Sequence, residues 1–290
     1  MSAAESRTLT EPTAIVADLD GRARRFNTPC GDGTLLWRAW GSGPPVVLLH
    51  GSHGSWSHWI RNIDALSAER TVWAPDLPGY GDSAMPPRAD HACIAQVIGS
   101  GLRQLIPGEL PVDIVGFSFG AVVAAHLASF HPDLVRRLVL VGAGGLGTPQ
   151  GAVTLQRVRG LEGDARRVVN RANLLALMLH HPSSVDDLAL HLQASDGSRA
   201  RLDPIPLVLP DKLLQALPRI RTQVDAIWAE HDRPHPQPAV QEQVLRRFHP
   251  DLDFQIIPEA GHWAMYERPT EFDRALLGLL RAPLRRGSIN

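Results

Sequence analysis

The chain has 290 residues, 44% hydrophobic and 20% charged, and its 29 basic and 30 acidic side chains leave a net charge of −1. This is the make-up of a globular protein with ample core, and so even a balance makes no case for nucleic acid or an anionic membrane as partner. The two cysteines, Cys30 and Cys93, lack metal-ligand spacing and read as free thiols of a reducing compartment, with no metal site expected.

Residues 1–20 read as a loose leader. Met1 to Ala17 lack the basic and apolar regions of a secretory signal, and no later segment is a long charge-free apolar run. The expected setting is cytoplasmic, with no membrane partner; a homo-oligomer is left open. Short alternating runs at Arg24–Asn27 and Leu35–Trp40 flank the turn signal Gly31-Asp32-Gly33 and predict a hairpin. Pro45 to Leu49 is a continuous apolar run of the kind buried on both faces of a parallel sheet. It leads into the loop His50-Gly51-Ser52-His53-Gly54-Ser55-Trp56 and an amphipathic stretch from Trp59 to Leu66.

A short strand at Thr71–Ala74 runs into the turn segment Asp76-Leu77-Pro78-Gly79-Tyr80-Gly81-Asp82-Ser83, and a helical pattern covers Ile94–Ile106. Further strands are predicted at Val135–Val141, Val224–Ala229 and Asp253–Ile257. Helices are predicted at Ala239–Phe248 and at Glu271–Leu280, the latter N-capped by Thr270. Strands and helices alternate on both sides of one interval, which predicts an α/β class with a mostly parallel sheet. Residues 146–217 break that alternation, with helical periodicity at Leu155–Leu161, Val168–Leu179 and Val185–Leu192 and no convincing strand. They read as a helical cap over the carboxyl ends of the strands, inserted between core segments 21–145 and 218–290.

The chain is organised around Val112-Asp113-Ile114-Val115-Gly116-Phe117-Ser118-Phe119-Gly120-Ala121. Strand, sharp turn and helix are the context in which Gly-x-Ser-x-Gly exposes a serine as a nucleophile. Side chains at Gly116 or Gly120 would collide with neighbouring backbone, and the helix start aims N–H groups at charge developing beside Ser118. Val122, Val123 and His126 on this helix are expected to pack against the sheet.

A serine needs a base, and the base needs an orienting acid. Among 13 histidines, His262 in Gly261-His262-Trp263 lies just past the final predicted strand, at the same sheet edge as Ser118. Asp232, past the preceding strand, is the better-placed acid, with Glu230 its near competitor. The oxyanion hole would use the N–H groups of Phe119 and of Ser52, with His53 the alternative donor, while His50 braces the loop. Asp76, Gly79, Gly81 and Ser83 read as architectural.

Together the His50–Trp56, Asp76–Ser83, Gly116–Gly120 and Gly261–Trp263 motifs resemble the α/β-hydrolase superfamily, from about Gly33 to Leu280. The resemblance implies an eight-stranded, mostly parallel sheet, a helical cap after the sixth strand and a cofactor-free Ser118, Asp232, His262 triad. A serine at position 118 separates the chain from the haloalkane dehalogenases and epoxide hydrolases of this fold, which use aspartate there. Gly261-His262-Trp263-Ala264-Met265-Tyr266-Glu267 is also similar to the end of the meta-cleavage product hydrolases, which split carbon–carbon bonds. Against that stand Phe117, where those enzymes carry asparagine, and Ser52-His53-Gly54-Ser55 in place of their glycine-rich loop. A cap arginine facing a substrate carboxylate would be Arg199 or Arg201; His53, Trp56, Phe117 and Trp263 are the other candidate pocket residues. The expectation is therefore hydrolysis of a small-molecule ester, with carbon–carbon hydrolysis or a non-catalytic binding protein as alternatives.

Overall fold

A computed structural model describes residues 11–285. Eight strands, β1 (Arg24–Cys30), β2 (Gly33–Trp40), β3 (Pro45–Leu49), β4 (Thr71–Pro75), β5 (Val112–Phe117), β6 (Val135–Val141), β7 (Gln223–Ala229) and β8 (Phe254–Ile257), form one sheet. Its order is β1-β2-β4-β3-β5-β6-β7-β8, and only β2 runs against the rest. Side-chain alternation divides the core between the two faces. Val47, Leu49, Ile114, Leu138, Leu140, Ala226 and Trp228 belong to the apolar cluster shared with helices His91–Leu105 and Phe119–Phe130. Val46, Leu48, Val115, Val139, Val141 and Ile227 join the opposite cluster, with helix Pro269–Arg281.

The register lines up the strand ends. Leu49 pairs with Gly116, Phe117 with Val141, Val141 with Ile227, and Ala229 with Ile257. The loops that begin at His50, Ser118, Gly142, Glu230 and Pro258 therefore leave from a single edge, as ligand-binding loops do in open α/β sheets.

Three expectations are corrected. Residues 1–10 of the expected leader lie outside the described residues, but Pro12–Gly21 is a helix rather than a loose segment. Leu19 is buried, its carbonyl accepts from Trp40 Nε1 at 2.8 Å, and Asp20 pairs with Arg38 at 2.6 Å. The last helix begins at Pro269 with Arg268 as N-cap, which puts Thr270 inside the first turn; proline favours the first helical position because its missing N–H has no helical partner there. Leu155–Leu161 is irregular, not helical. Asn173 explains it: its side chain accepts from Gln156 N–H at 2.8 Å and donates to Gln156 O at 2.9 Å, holding that strip against helix Gly163–Leu177.

The remaining interval between β6 and β7 carries helices Gly163–Leu177, Asp187–Ser198, Ile205–Val208 and Lys212–Ala216. It docks on the loops at the carboxyl edge. Asp196 accepts from Ser57 Oγ at 2.6 Å and Ser55 Oγ at 3.0 Å, and Tyr80 Oη donates to Leu202 O at 3.0 Å. Trp263 N–H donates to Met178 O at 2.7 Å. No helix among the described residues is long and apolar enough to cross a membrane.

Candidate active site

β5 ends in a turn that needs glycine at both of its flanks. A Cβ on Gly116 would lie 2.4 Å from Gly120 O, and one on Gly120 would lie 2.3 Å from Leu49 O. Between them Ser118 takes φ 52, in the left-handed region that costs a non-glycine residue roughly 1–3 kcal/mol, and heads the helix Phe119–Phe130. The Ser118 N–H is held by Val141 O at 2.9 Å.

His262 and Asp232 meet across the loops after β8 and β7, with His262 Nδ1 2.8 Å from Asp232 Oδ2 and both side chains buried. Gly142, the first residue after β6, makes room: a Cβ there would come within 3.2 Å of both the His262 ring and the Asp232 carboxylate. Burial alone would raise the Asp232 carboxyl; the facing His262 and the contact with His235 outweigh it and hold the group below the ordinary carboxylate range. His262 packs on Phe117, with ring centroids 4.9 Å apart, which sets the imidazole beside the residue that precedes Ser118. The competitor acid Glu230 is exposed and accepts from Glu259 N–H at 2.9 Å, away from His262.

The loop after β3 is braced as expected. His50 is fully buried; its Nε2 accepts from Leu77 N–H at 2.8 Å and its Nδ1–H donates to Gly51 O at 2.8 Å. Burial holds this imidazole in its neutral form by lowering its pKa. Gly54 N–H donates to Gly51 O at 3.3 Å, so Ser52 and His53 form a turn, with His53 at φ 56 and exposed. Asp76 ties the neighbouring turn together, accepting from Trp56 N–H and Arg38 Nη1 at 3.0 Å and from Asp82 N–H at 3.1 Å. Ser83 Oγ donates to Asp76 O at 2.6 Å, and Gly79 and Gly81 take positive φ, so this segment is architecture.

The candidate pocket aromatics are buried and well packed. Phe117 and Trp263 are 1% exposed and Trp56 3%. Phe117 lies under Gly51, where a Cβ would come 2.9 Å from its ring; Trp263 Nε1 donates to His58 O at 2.9 Å; Trp56 packs on Trp40 and the Arg38 guanidinium. The cap arginines are committed elsewhere too. Arg199 pairs with Asp82 and Asp196, each at 3.0 Å, while Arg201 donates to the carbonyls of Gly81 and Ser83. They fasten the insertion to the Asp76–Ser83 turn. His126 also departs from expectation: it stacks on His91 at 3.8 Å and contacts Lys212 O at 3.0 Å, facing the insertion rather than the sheet.

Two residues of this site escape a sequence reading. His235 is buried, with its N–H donating to Asp232 Oδ1 at 2.9 Å and its ring Nδ1 3.2 Å from the same oxygen. Its spacing of three from Asp232 was the available signal. His58 is buried beneath Gly54 and accepts from Gly51 N–H at 3.2 Å; no spacing marked it out.

A mostly parallel eight-stranded sheet with a serine at its central strand-to-helix turn is the α/β-hydrolase fold. Residues 46–275 match the alpha/beta hydrolase family, and the chain belongs to it. It is 30% identical over 266 residues to a 2-hydroxymuconate semialdehyde hydrolase of Pseudomonas putida, covering 83% of this chain and 88% of that one. It is 29% identical over 252 residues to a pimeloyl-[acyl-carrier protein] methyl ester esterase of Chromobacterium violaceum, covering 81% and 94%. The crystal structure of an esterase from a Rhodococcus species superposes with a TM-score of 0.74 at 20% identity, over 90% of this chain and 99% of that one, a likeness of fold. By family and relatives the chain is a hydrolase.

Proposed function

We propose that this hydrolase cleaves a small-molecule carboxylic ester, or a related acyl bond, through Ser118, His262 and Asp232. The observation that carries the reading is the buried 2.8 Å contact between His262 Nδ1 and Asp232 Oδ2, at the sheet edge where Ser118 heads its helix. A carboxylate on Nδ1–H leaves the lone pair on Nε2, the tautomer a general base needs. Ser118 Oγ attacks the carbonyl as His262 takes its proton, and His262 returns that proton to the leaving group. The N–H groups of Phe119 and Ser52 stabilise the oxyanion, and water then releases the acyl group. Residues 146–217 act as the lid that excludes water and shapes the substrate site. The methyl ester esterase relative supports an ester as the substrate.

Turnover of a p-nitrophenyl ester chain-length series is the test. Wild type should hydrolyse at least one member, and Ser118→Ala should lose at least about 10³-fold in kcat while its melting temperature holds. Equal rates in the two proteins would sink the reading. The 2-hydroxymuconate semialdehyde hydrolase relative and the Gly261–Glu267 run favour a second reading, carbon–carbon hydrolysis. It would be indicated by turnover of a vinylogous diketone with no ester activity. A binding protein is what remains if neither substrate class is turned over.

A further inference from the structure

The insertion and both loops that carry Asp232 and His262 also meet at a second cluster, further out on the same edge. His180 follows helix Gly163–Leu177, His231 precedes Asp232, and Glu259 lies three residues before His262. One ligand atom from each of these three side chains falls within 4.8 Å of the others. The His180 and His231 rings stack at 3.8 Å with 19° between their planes.

We propose that His180, His231 and Glu259 form a transition-metal site that bridges the insertion to the two loops, taking Zn²⁺ or a similar borderline cation. Two imidazoles and one carboxylate are the donor set of three-ligand zinc sites, and they favour zinc, cobalt or nickel over magnesium or calcium. Tetrahedral ligands at zinc distances stand about 3.4 Å apart, so the two imidazoles would rotate out of their stack for their nitrogens to converge on one ion. The cluster is partly exposed, so a cation can enter and keep water in its fourth position.

The backbone carrying these ligands is already pinned. The buried Glu267 carboxylate accepts from the N–H groups of His180 at 2.9 Å, His181 at 2.7 Å and Gly261 at 2.7 Å, joining the insertion to the His262 loop. His231 N–H donates to Ala260 O at 2.9 Å, joining the two core loops. Glu259 holds φ 51, a conformation unfavourable for glutamate, with Arg268 Nε on its carbonyl at 3.0 Å. Further ligand groups stand nearby: His181 Nε2 is 3.2 Å from Glu259 Oε2, and Glu230 Oε2 is 3.8 Å from His231 Nε2. Holding ligands from three segments in place before the ion arrives lowers the cost of binding.

The test is calorimetric titration of the untagged full chain with Zn²⁺, alongside Co²⁺ absorption spectra. Wild type should bind one equivalent, show the intense visible bands of tetrahedral cobalt, and melt at a higher temperature with Zn²⁺. His231→Gln and His180→Gln, checked for an unchanged metal-free melting temperature, should each weaken binding by at least about tenfold. His235→Gln, at the buried cluster around Asp232, and His191→Gln, on helix Asp187–Ser198 and outside the cluster, should bind as wild type does. Hydrogen exchange at His180 and His181 should slow on adding Zn²⁺ to wild type and not to His231→Gln. Absence of stoichiometric binding overturns the proposal, as does binding that survives His231→Gln or is lost in His235→Gln.

Discussion

Asp232 is surrounded on both oxygens, one taken by His262 and the other by the His235 N–H. On the proposed chemistry, Asp232→Asn keeps that packing but offers His262 an amide in place of a carboxylate. The wrong tautomer is then favoured, and kcat should fall by about 10³–10⁴-fold with KM little changed. Steady-state kinetics on the best p-nitrophenyl ester checks this; a loss under tenfold would remove Asp232 from the mechanism. At this scale the candidates rest on local signals. Ser118, Asp232 and His262 stand out because each follows a strand in the chain order Ser, Asp, His, and position after a strand is a local property. Phe117, Trp56 and Trp263 are buried, and an aromatic beside a catalytic loop looks the same in sequence whether it lines a cavity or supports the loop from beneath.

Within the insertion, helix Asp187–Ser198 starts at Asp186, whose carboxylate accepts from Ala189 N–H at 2.8 Å. The same carboxylate pairs with Arg61 and accepts from Tyr266 Oη, both at 2.5 Å, tying the insertion to the core. Asp186→Ala should therefore cost about 1–2 kcal/mol of stability. It should also raise limited proteolysis between residues 146 and 217, whereas Asp187→Ala, which makes one exposed pair with Arg167, should change neither by much. Equal effects of the two variants would show that the cap and its tie to the core carry no special weight. The core strands were read nearly to the residue because buried parallel strands are continuous apolar runs. The insertion was read poorly: Leu155–Leu161 has helical spacing but is held by Asn173, and the short helices Ile205–Val208 and Lys212–Ala216 were hidden among prolines.

The molecule as a whole should carry a pH-dependent instability that has nothing to do with catalysis. Asp273, on the last helix, is buried and accepts from Asn62 Nδ2 at 2.8 Å, and burial pushes its carboxyl up to about 7. A carboxyl that binds its proton more tightly in the fold than in the unfolded chain favours the fold at low pH. Stability should therefore fall as pH rises from about 4 through about 7, and level off above. Asp273→Asn keeps the Asn62 contact without the charge, so its melting temperature should exceed wild type at about pH 8 and match it more closely at about pH 5. A wild-type excess at both pH values would contradict the reading.

What the sequence determined by itself is what depends on neighbours in the chain: apolar runs that must be strands buried on both faces, glycines that a sharp turn needs, and motifs that open at strand ends. From these follow the α/β class, a mostly parallel sheet, and the placing of Ser118, Asp232 and His262 each after a strand. What only the tertiary structure decided depends on contacts between distant segments. Arg199 and Arg201 became fasteners of the insertion because Asp82 and the Gly81 and Ser83 carbonyls lie opposite them. His235 and His58 entered the site because loops after different strands converge there. His180, His231 and Glu259, far apart in sequence, share one corner because the insertion folds back over the sheet edge. Side chains that meet through the fold leave no periodicity for a sequence to display.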